Sequence, residues 1–332
     1  MSYTEEDTIF VQIASYRDPE LQWTLKDLFE KAKRPKNIFV GICHQYDMEG
    51  DEDKHLFEIP FSHPEQLRID EVDYRESQGC CWARNRVQKL WKGEKWTLMI
   101  DSHMRFEEDW DELLVEEFYK YPNCIISQFC GDTLPDKVYT NYVCKPNFNQ
   151  EHFDNNSIIL FGYGAFINKY DNNISAMISA RFIFALSNII QEIKYDKYLY
   201  FYGEEINLAV RFWTNDYILY CPNKIIAHHH RINNSNINKK DNKNHVKQDY
   251  ISYARVKHLL NTKKTKDSEV LQNIKEYGLG NKRTLRDYER FSGVDFRKKI
   301  TKEHTKQGVF EEWQEVSNIV NIKKIFNNKY GN

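Results

Sequence analysis

Long apolar runs, an excess of positive charge and Cys-x-x-Cys pairs are all missing from this 332-residue sequence. No apolar stretch reaches the roughly 18 residues that a membrane-spanning helix needs, and the polar, acidic start MSYTEEDT does not fit a signal peptide. The 47 Lys and Arg residues nearly balance the 49 Asp and Glu residues, so no overall field attracts nucleic acid or anionic lipid. We therefore expect no membrane span and no nucleic-acid partner.

The seven cysteines are odd in number, lie mostly in apolar or strand-like runs and form no Cys-x-x-Cys pair. This usage argues against a zinc ribbon and against a disulfide framework, and it favours a reducing, cytoplasmic location. A hydrophobic content of 41% is enough for a sizeable core, which excludes a disordered chain.

Strand-like apolar runs alternate with amphipathic helical stretches from residue 9 to about residue 231. The clearest strand patterns lie at residues 9–14, 38–43 and 96–100, with helical periodicity between them. This alternation favours an α/β fold with a mostly parallel sheet that is flanked by helices. In such sheets ligands bind beyond the carboxyl ends of the strands, so we expect functional residues directly after the strands.

The composition changes at residue 232. Residues 232–247 are rich in Asn and Lys and are predicted to form a loop or linker, and residues 249–300 regain helical patterning. The last thirty or so residues form a basic amphipathic piece or a loose tail. We therefore divide the chain into a first unit at 1–231 and a C-terminal, largely helical extension at 232–332.

The triplet Asp101-Ser102-His103 follows directly after the strand pattern at residues 96–100. A carboxylate and an imidazole two residues apart in an extended segment point the same way, because side chains alternate along a strand. Both groups can ligate one divalent cation such as Mn²⁺, Zn²⁺ or Fe²⁺. The alternative is an Asp that caps the next turn beside a surface His.

A run of histidines, His228, His229 and His230, follows another apolar stretch. One of them could complete a three-ligand site with Asp101 and His103. In an extended chain His228 and His230 share a face, and His229 lies on the other. A solvated histidine-rich loop is the competing interpretation.

Two further motifs place charge at helix starts. Glu204 and Glu205 head a helical stripe at residues 206–213, where capping of the helix is the default explanation and a carboxylate in a substrate cleft is the functional one. Arg84 opens another helix, and it either meets a phosphate or forms a surface ion pair.

Taken together, the motifs resemble the glycosyltransferase family that includes the Skp1 hydroxyproline N-acetylglucosaminyltransferases. The Asp-Ser-His triplet also resembles the metal motif of the polypeptide N-acetylgalactosaminyltransferases. The resemblance spans residues 9 to about 296, and its motifs are Ile13-Ala14-Ser15-Tyr16-Arg17-Asp18, Cys81-Trp82-Ala83-Arg84, Asp101-Ser102-His103-Met104-Arg105-Phe106, Tyr202-Gly203-Glu204-Glu205, Arg211-Phe212-Trp213, His228-His229-His230, the stretch 277–284 and the stretch 291–296.

The resemblance implies a GT-A fold for residues 1–231, a UDP-sugar donor, a divalent cation (Mn²⁺ first) and retention of anomeric configuration. UDP-N-acetylglucosamine is the donor of the characterised relatives. Carried onto this sequence, Asp101 and His103 take the metal and the diphosphate, with Ser102 at the donor between them. His228 is the expected third ligand, because it begins the matching run, and the two histidines after it stay open.

Other site residues follow from the same resemblance. Glu204 or Glu205 would face the sugar or the acceptor, and Arg84 would stabilise the departing diphosphate. The acceptor is a hydroxyl of a protein or glycan, and the segment 232–332 is the expected place for acceptor or subunit contacts, with an oligomer left open. The residues expected to border the uridine are Ala14, Ser15, Tyr16 and Arg17.

Two other classes of function compete with this one. A non-haem iron, 2-oxoglutarate-dependent oxygenase also uses two His and one carboxylate, but its near pair usually runs His-x-Asp on a double-stranded β-helix, and here the order is reversed on an α/β pattern. A non-catalytic glycan-binding module would use the 14% aromatic content as stacking platforms, although aromatic residues spread through strands and helices are more often core.

Overall fold

The computed structural model describes residues 3–121, 123–134, 137–138, 144–161, 165–166, 173–230 and 241–310. The predicted linker at 232–247 lies partly outside the described residues, and so does the basic C-terminal tail, which is described only as far as residue 310.

Strands dominate the first two thirds of the described chain. In chain order they are β1 (Ile9–Tyr16), β2 (Ile38–Tyr46), β3 (Leu67–Asp73), β4 (Trp96–Asp101), β5 (Met104–Phe106), β6 (Cys124–Ser127), β7 (Asp132–Leu134), β8 (Lys137–Val138), β9 (Cys144–Lys145), β10 (Phe148–Phe153), β11 (Ile159–Phe161), β12 (Ala165–Phe166), β13 (Phe182–Leu186), β14 (Ile218–Tyr220), β15 (Ala227–His230), β16 (Val294–Asp295) and β17 (Ile300–Thr301).

Helices connect the strands and form most of the C-terminal part. In chain order they are α1 (Leu21–Glu30), α2 (Cys80–Gln88), α3 (Trp110–Phe118), α4 (Ile189–Glu192), α5 (Glu204–Thr214), α6 (His245–Leu259), α7 (Leu285–Ser292) and α8 (Glu303–Lys306), and short 3₁₀ turns lie at Pro35–Asn37, Lys54–Phe57, Pro64–Gln66 and Tyr74–Glu76.

A seven-stranded sheet forms the centre, in the order β14-β6-β13-β4-β1-β2-β3. Every strand in it runs in one direction except β13, which is antiparallel to both of its neighbours, β4 and β6. The predicted mostly parallel sheet is therefore confirmed. Because β1 and β4 are neighbours in parallel register, Ala14 lies opposite Asp101 at the carboxyl edge of the sheet.

The sheet is covered on both faces, which explains the continuous apolar runs of its strands. In β1 alternate side chains go to opposite faces. Ile9, Val11 and Ile13 join one buried cluster with α1 and α3, and Phe10 packs on the other face against Val87 of α2.

A second sheet, in the order β5-β15-β7-β8, stands beside the carboxyl edge of the first. Strand β15 pairs with β5 in antiparallel register, and His229 lies opposite Met104. This pairing matters for function, because β5 continues directly from the end of β4 and β15 carries the histidine run.

The C-terminal part shares its core with the central sheet. Val256 of α6 and Phe291 of α7 belong to the same buried cluster as Met99 of β4 and Ile183 of β13. Trp213 at the end of α5 stacks on Phe291 with 4.1 Å between ring centroids.

Among the described residues, none of the helices combines the length and the apolarity that a membrane crossing requires. The central α/β sheet differs from the double-stranded β-helix on which the oxygenase alternative depends.

Candidate active site

The bend between β4 and β5 positions the Asp-x-His pair. Asp101 is the last residue of β4, and His103 immediately precedes Met104, where β5 begins. Thr24 of α1 fixes the bend, because its hydroxyl donates to the Ser102 carbonyl at 2.7 Å and accepts from the Met104 amide at 2.9 Å. The two metal-motif side chains therefore leave a backbone that a buried threonine holds in place.

His229 of β15 completes the cluster. The Nε2 atoms of His103 and His229 lie 3.0 Å apart, and each lies 3.9 Å from Asp101 Oδ2. One ligand atom from each of the three residues falls within 4.8 Å of the others. The predicted pair Asp101 and His103 is thus joined by a histidine from a distant part of the chain.

The structure corrects the choice of His228 as the third member of this cluster. His228 Nε2 lies 2.6 Å from Glu107 Oε1, on the opposite face of β15 from Asp101. The next histidine, His230, contributes its amide to the His103 carbonyl at 2.8 Å, while its ring approaches Glu20. The pairing of β15 with β5 determines which face of β15 is turned toward Asp101 and His103. Because side chains alternate between the two faces of a strand, His229 lies on that face and His228 lies on the other.

Asp18 orients His103. Its Oδ2 lies 2.7 Å from His103 Nδ1 and also accepts from the Ser102 hydroxyl, and its Oδ1 accepts from the Glu20 amide at 2.9 Å. Burial acts to raise the pKa of Asp18, but the hydrogen bonds from His103 and Ser102 hold that pKa below its ordinary value. A carboxylate that accepts the Nδ1 proton leaves His103 Nε2 free to face His229.

Sequence reasoning included Asp18 in a matching motif but assigned it no role. The available signal was its place just after β1, because β1 neighbours β4 in the sheet and the two strand ends meet.

Arg84 lies behind Asp101, where it was predicted to reach a phosphate. Its guanidinium is buried, with 4% of the residue exposed, and it donates to Asp101 Oδ1 at 2.8 Å, the Ala180 carbonyl at 2.6 Å and the Tyr195 hydroxyl at 2.9 Å. Burial acts to raise the pKa of Asp101, but Arg84 and the imidazoles hold it below the ordinary value. Arg84 therefore secures one carboxylate oxygen and leaves the other toward the histidines.

Glu204 lies on the far side of the same arginine. Its Oε2 is 3.9 Å from Arg84 Nη1 and accepts from Cys81 Sγ and the Tyr195 hydroxyl, each at 3.3 Å. Burial raises the pKa of Glu204, and burial together with Glu204 raises the pKa of the less buried Glu205. Glu204 and Asp101 are thus linked through one buried cation, a connection that spacing in the sequence does not reveal.

Residues 14–17, which were predicted to border the uridine, are held by hydrogen bonds and ion pairs of Tyr16 and Arg17. Arg17 donates to Asp53 at 2.9 Å, Glu52 at 2.7 Å and Asp241 at 3.1 Å, and Tyr16 also donates to Asp241, at 3.0 Å. Ser15 is fully buried, and Ala14 lies beside Asp101. The structure therefore brings Ala14 to the cluster and turns the Arg17 side chain toward carboxylates.

A family model described as Glycosyltransferase (GlcNAc) matches residues 8–57 and 47–298. The chain belongs to this glycosyltransferase family. A search of curated protein sequences found no match for this glycosyltransferase.

Several solved structures are similar to this glycosyltransferase. GalNAc-T7 with UDP, GalNAc and Mn²⁺ aligns with a TM-score of 0.58 at 14% identity, over 87% of this chain and 58% of that one. S. aureus TarS residues 1–349 in complex with UDP align with a TM-score of 0.49 at 10% identity, over 96% of this chain and 78% of that one. The chain thus spans less than two thirds of GalNAc-T7, and this likeness confirms the predicted GT-A fold.

Proposed function

We propose that this glycosyltransferase is metal-dependent and retaining, and that it transfers N-acetylglucosamine from a UDP-sugar to a hydroxyl of a protein or glycan acceptor. The observation that carries the proposal is the convergence of Asp101, His103 and His229 at the carboxyl edge of the sheet. The family membership supports transfer of a sugar, and a relationship to the Skp1-modifying enzymes stays a prediction.

The three side chains fit a divalent cation. Metal bonds to nitrogen and oxygen are about 2.0–2.2 Å long, so ligands of one ion lie roughly 3 to 4 Å apart. The separations among His103 Nε2, His229 Nε2 and Asp101 Oδ2 are 3.0 and 3.9 Å. Two imidazoles and a carboxylate suit Mn²⁺ among other divalent ions.

This chain's own residues prepare the site for a departing diphosphate. Asp18 fixes the ring of His103, and Arg84 holds Asp101 Oδ1. A cation held there supplies positive charge as the donor bond breaks. Because these groups are oriented before the donor arrives, they need no rearrangement when negative charge develops.

We expect retention because the acceptor hydroxyl attacks the anomeric carbon from the same face that the diphosphate leaves. The acceptor oxygen bonds to the anomeric carbon as the bond to the diphosphate breaks, and a diphosphate oxygen takes the acceptor proton. Glu204 or Glu205 faces the sugar or the acceptor in this scheme, and residues 14–17 border the uridine. Nuclear magnetic resonance of the product reports its anomeric configuration, and an inverted product would contradict this part of the proposal.

The decisive experiment compares adjacent histidines. We expect Asp101→Ala, His103→Ala and His229→Ala each to abolish Mn²⁺-dependent release of UDP from UDP-N-acetylglucosamine, measured with candidate acceptors and across a panel of UDP-sugars. His228→Ala is the matched control, because its ring contacts Glu107 on the other face of β15.

EDTA should abolish the activity of the wild type, and excess Mn²⁺ should restore it. Full activity of His229→Ala in EDTA would refute the metal site. Loss of activity in His228→Ala alone would show that the wrong histidine has been assigned.

A further inference from the structure

A cavity of about 350 Å³ lies in the C-terminal part of the chain, and none of its lining residues belongs to the cluster of Asp101, His103 and His229. Three cations line it: Arg286 on α7, and Arg297 and Lys298 in the turn between β16 and β17. A volume of this size falls in the range of small-ligand sites.

Three lysines adjoin the cavity. Asn261 lines it and lies in the turn after α6, where the Lys263 amide donates to the Lys257 carbonyl at 3.2 Å. Lys299 directly follows the lining residue Lys298. Besides burial, the charges of Lys263 and Lys299 lower the pKa of Lys257, which reflects the crowding of these ammonium groups. We call the cavity together with these three lysines the basic cavity.

Among the described residues, Lys298 is the one cation of this cluster that takes part in an ion pair, with Asp295 at 3.8 Å. In the part of the chain that the structure describes, no ion pair within 4 Å includes Lys257, Lys263, Arg286 or Arg297.

The cavity has two carboxylates of its own, Glu289 and Asp295, and both serve the local backbone. Glu289 Oε1 accepts from the Phe296 amide at 3.0 Å, and Asp295 Oδ1 accepts from the Lys298 amide at 2.8 Å. Asp295 also offsets the charge of Lys298, so Arg286 and Arg297 are the lining cations that the proposal depends on.

The net charge of residues 241–310 is positive, like that of the basic cavity. Residues 241–310 contain 17 Lys and Arg against 9 Asp and Glu, in a chain with 47 against 49. The positive charge of the molecule is therefore concentrated where the cavity lies, and it favours an anionic ligand.

Helix α6 extends from Tyr202, close to Glu204, toward the basic cavity. Tyr253 of α6 stacks on Tyr202, two residues before Glu204, with centroids 5.7 Å apart and planes 12° apart. Lys257 follows Tyr253 by four residues on the same face of α6, and Asn261 at the cavity follows by four more. At 1.5 Å per residue the helix advances about 9 Å from Tyr253 to its end at Leu259, and Asn261 lies two residues further on, in the turn.

We propose that the basic cavity binds the phosphate groups of a polyanionic acceptor, whose hydroxyl reaches the candidate active site past Tyr202 and Tyr253. The acceptor role rests on the proposed transferase function. Phosphate is favoured because an arginine guanidinium donates two parallel hydrogen bonds to its oxygens, and Arg286 and Arg297 both line one cavity.

The test measures binding of fluorescently labelled inorganic polyphosphate to the full-length protein by anisotropy, in EDTA and at several salt concentrations. We expect the double variant Arg286→Ala/Arg297→Ala to bind about tenfold more weakly or worse, and the slope of log affinity against log salt to fall by roughly 1.5. Arg290→Ala is the matched control, because Arg290 is an exposed residue of α7 that pairs with Asp287 and does not line the cavity.

Three results would overturn the proposal: no binding by the wild type, equal losses in the double variant and in Arg290→Ala, or equal binding of neutral dextran. Tighter binding of single-stranded RNA than of polyphosphate with equal charge would indicate a nucleic-acid site instead. Thermal melting confirms that each variant is folded. Because the binding assay contains EDTA and no UDP-sugar, failure of this proposal is distinguishable from failure of the transferase proposal.

Discussion

At the scale of single residues, the two carboxylate oxygens of Asp101 have different neighbours. Asp101 Oδ1 accepts from Arg84, and Oδ2 lies at equal distance, 3.9 Å, from the Nε2 atoms of His103 and His229. A carboxylate held at one oxygen loses less rotational freedom when the other oxygen binds a ligand, so we expect the buried arginine to strengthen the proposed binding of a cation.

Asp18 is the residue whose loss should separate metal affinity from folding. We expect Asp18→Asn to weaken Mn²⁺ binding by about 10- to 100-fold, because His103 loses the charged partner that orients its ring. Isothermal titration with Mn²⁺ measures the effect. Glu107→Gln, which changes the partner of His228, should leave the affinity as in the wild type. Equal affinities for both variants would exclude the orienting role.

Glu205 should make stability depend on pH. Burial and Glu204 raise its pKa on folding, so the folded state holds the proton more tightly than the unfolded state. The contribution of Glu205 to the free energy of unfolding therefore falls as pH rises above the unfolded pKa of about 4.5. We expect Glu205→Gln to gain stability relative to the wild type between pH 5 and pH 8, measured by urea unfolding. The exposed Glu116→Gln should show no such gain, and a parallel response of both variants would contradict the assignment.

The sequence predicted the pair of neighbours and the histidine run that joins them, but it did not determine which histidine faces the pair or that Asp18 contacts His103. Asp101 and His103 were predictable because they lie two residues apart after a strand. The choice between His228 and His229 depends on the register of β15 against β5, which no local pattern reveals. Asp18 reaches His103 only because β1 lies beside β4.

At the scale of elements, α2 connects the central sheet to the candidate site. It begins after Gly79, whose φ of +103° disfavours other residues and whose Cβ would lie 2.5 Å from the Tyr200 carbonyl. One side of α2 places Arg84 between Asp101 and Glu204, and the other places Arg86 in a two-bond pair with Asp70. Ion pairs of Arg84 and Arg86 therefore hold two sides of α2 in place.

Arg84 should be essential to stability. Its removal leaves Asp101 and Glu204 without their buried cation, and we expect Arg84→Ala to lower the free energy of unfolding by about 3–5 kcal/mol. Arg84→Lys keeps the charge but loses the planar fork, so its loss should be smaller. Urea unfolding measures both. Arg86→Ala, whose pair is partly exposed, should cost no more than about 1 kcal/mol; a larger cost there than at Arg84 would refute this ranking.

The elements themselves were largely predictable. The apolar runs gave β1, β2 and β4, and the periodic stretches gave α1, α2 and α5. Strand β13 was not predicted, and its antiparallel direction between β4 and β6 could not be, because a short run such as Phe182–Leu186 carries no information about direction. The charged edge strand β3 was missed because its sequence, LRIDEVD, has little apolar content.

At the scale of the whole molecule, the C-terminal part is built into the core of the catalytic part. Arg255 of α6 is completely buried and pairs with Asp196 at 2.6 Å, and Phe291 of α7 stacks on Trp213. The division of the chain at residue 231 stays a prediction from composition. In the structure the residues on either side of it share one hydrophobic cluster.

This shared core should make unfolding cooperative. We expect a single transition in urea, with coincident tryptophan fluorescence and far-ultraviolet circular dichroism. Phe291→Ala should lower the free energy of unfolding by about 3–5 kcal/mol and shift both signals together, since it opens a gap beneath Trp213. Two separate transitions, only one of which responds to the substitution, would mean that the C-terminal part unfolds independently.

The uneven distribution of charge along the chain affects how the protein approaches an anionic ligand. Residues 1–230 carry an acidic excess, and residues 241–310 carry a basic one. Such a separation produces a permanent molecular dipole, and the field around a polyphosphate-like chain exerts a torque on it. The protein would rotate during diffusion until its positive end leads, and dilute salt would strengthen that alignment by lengthening the screening distance.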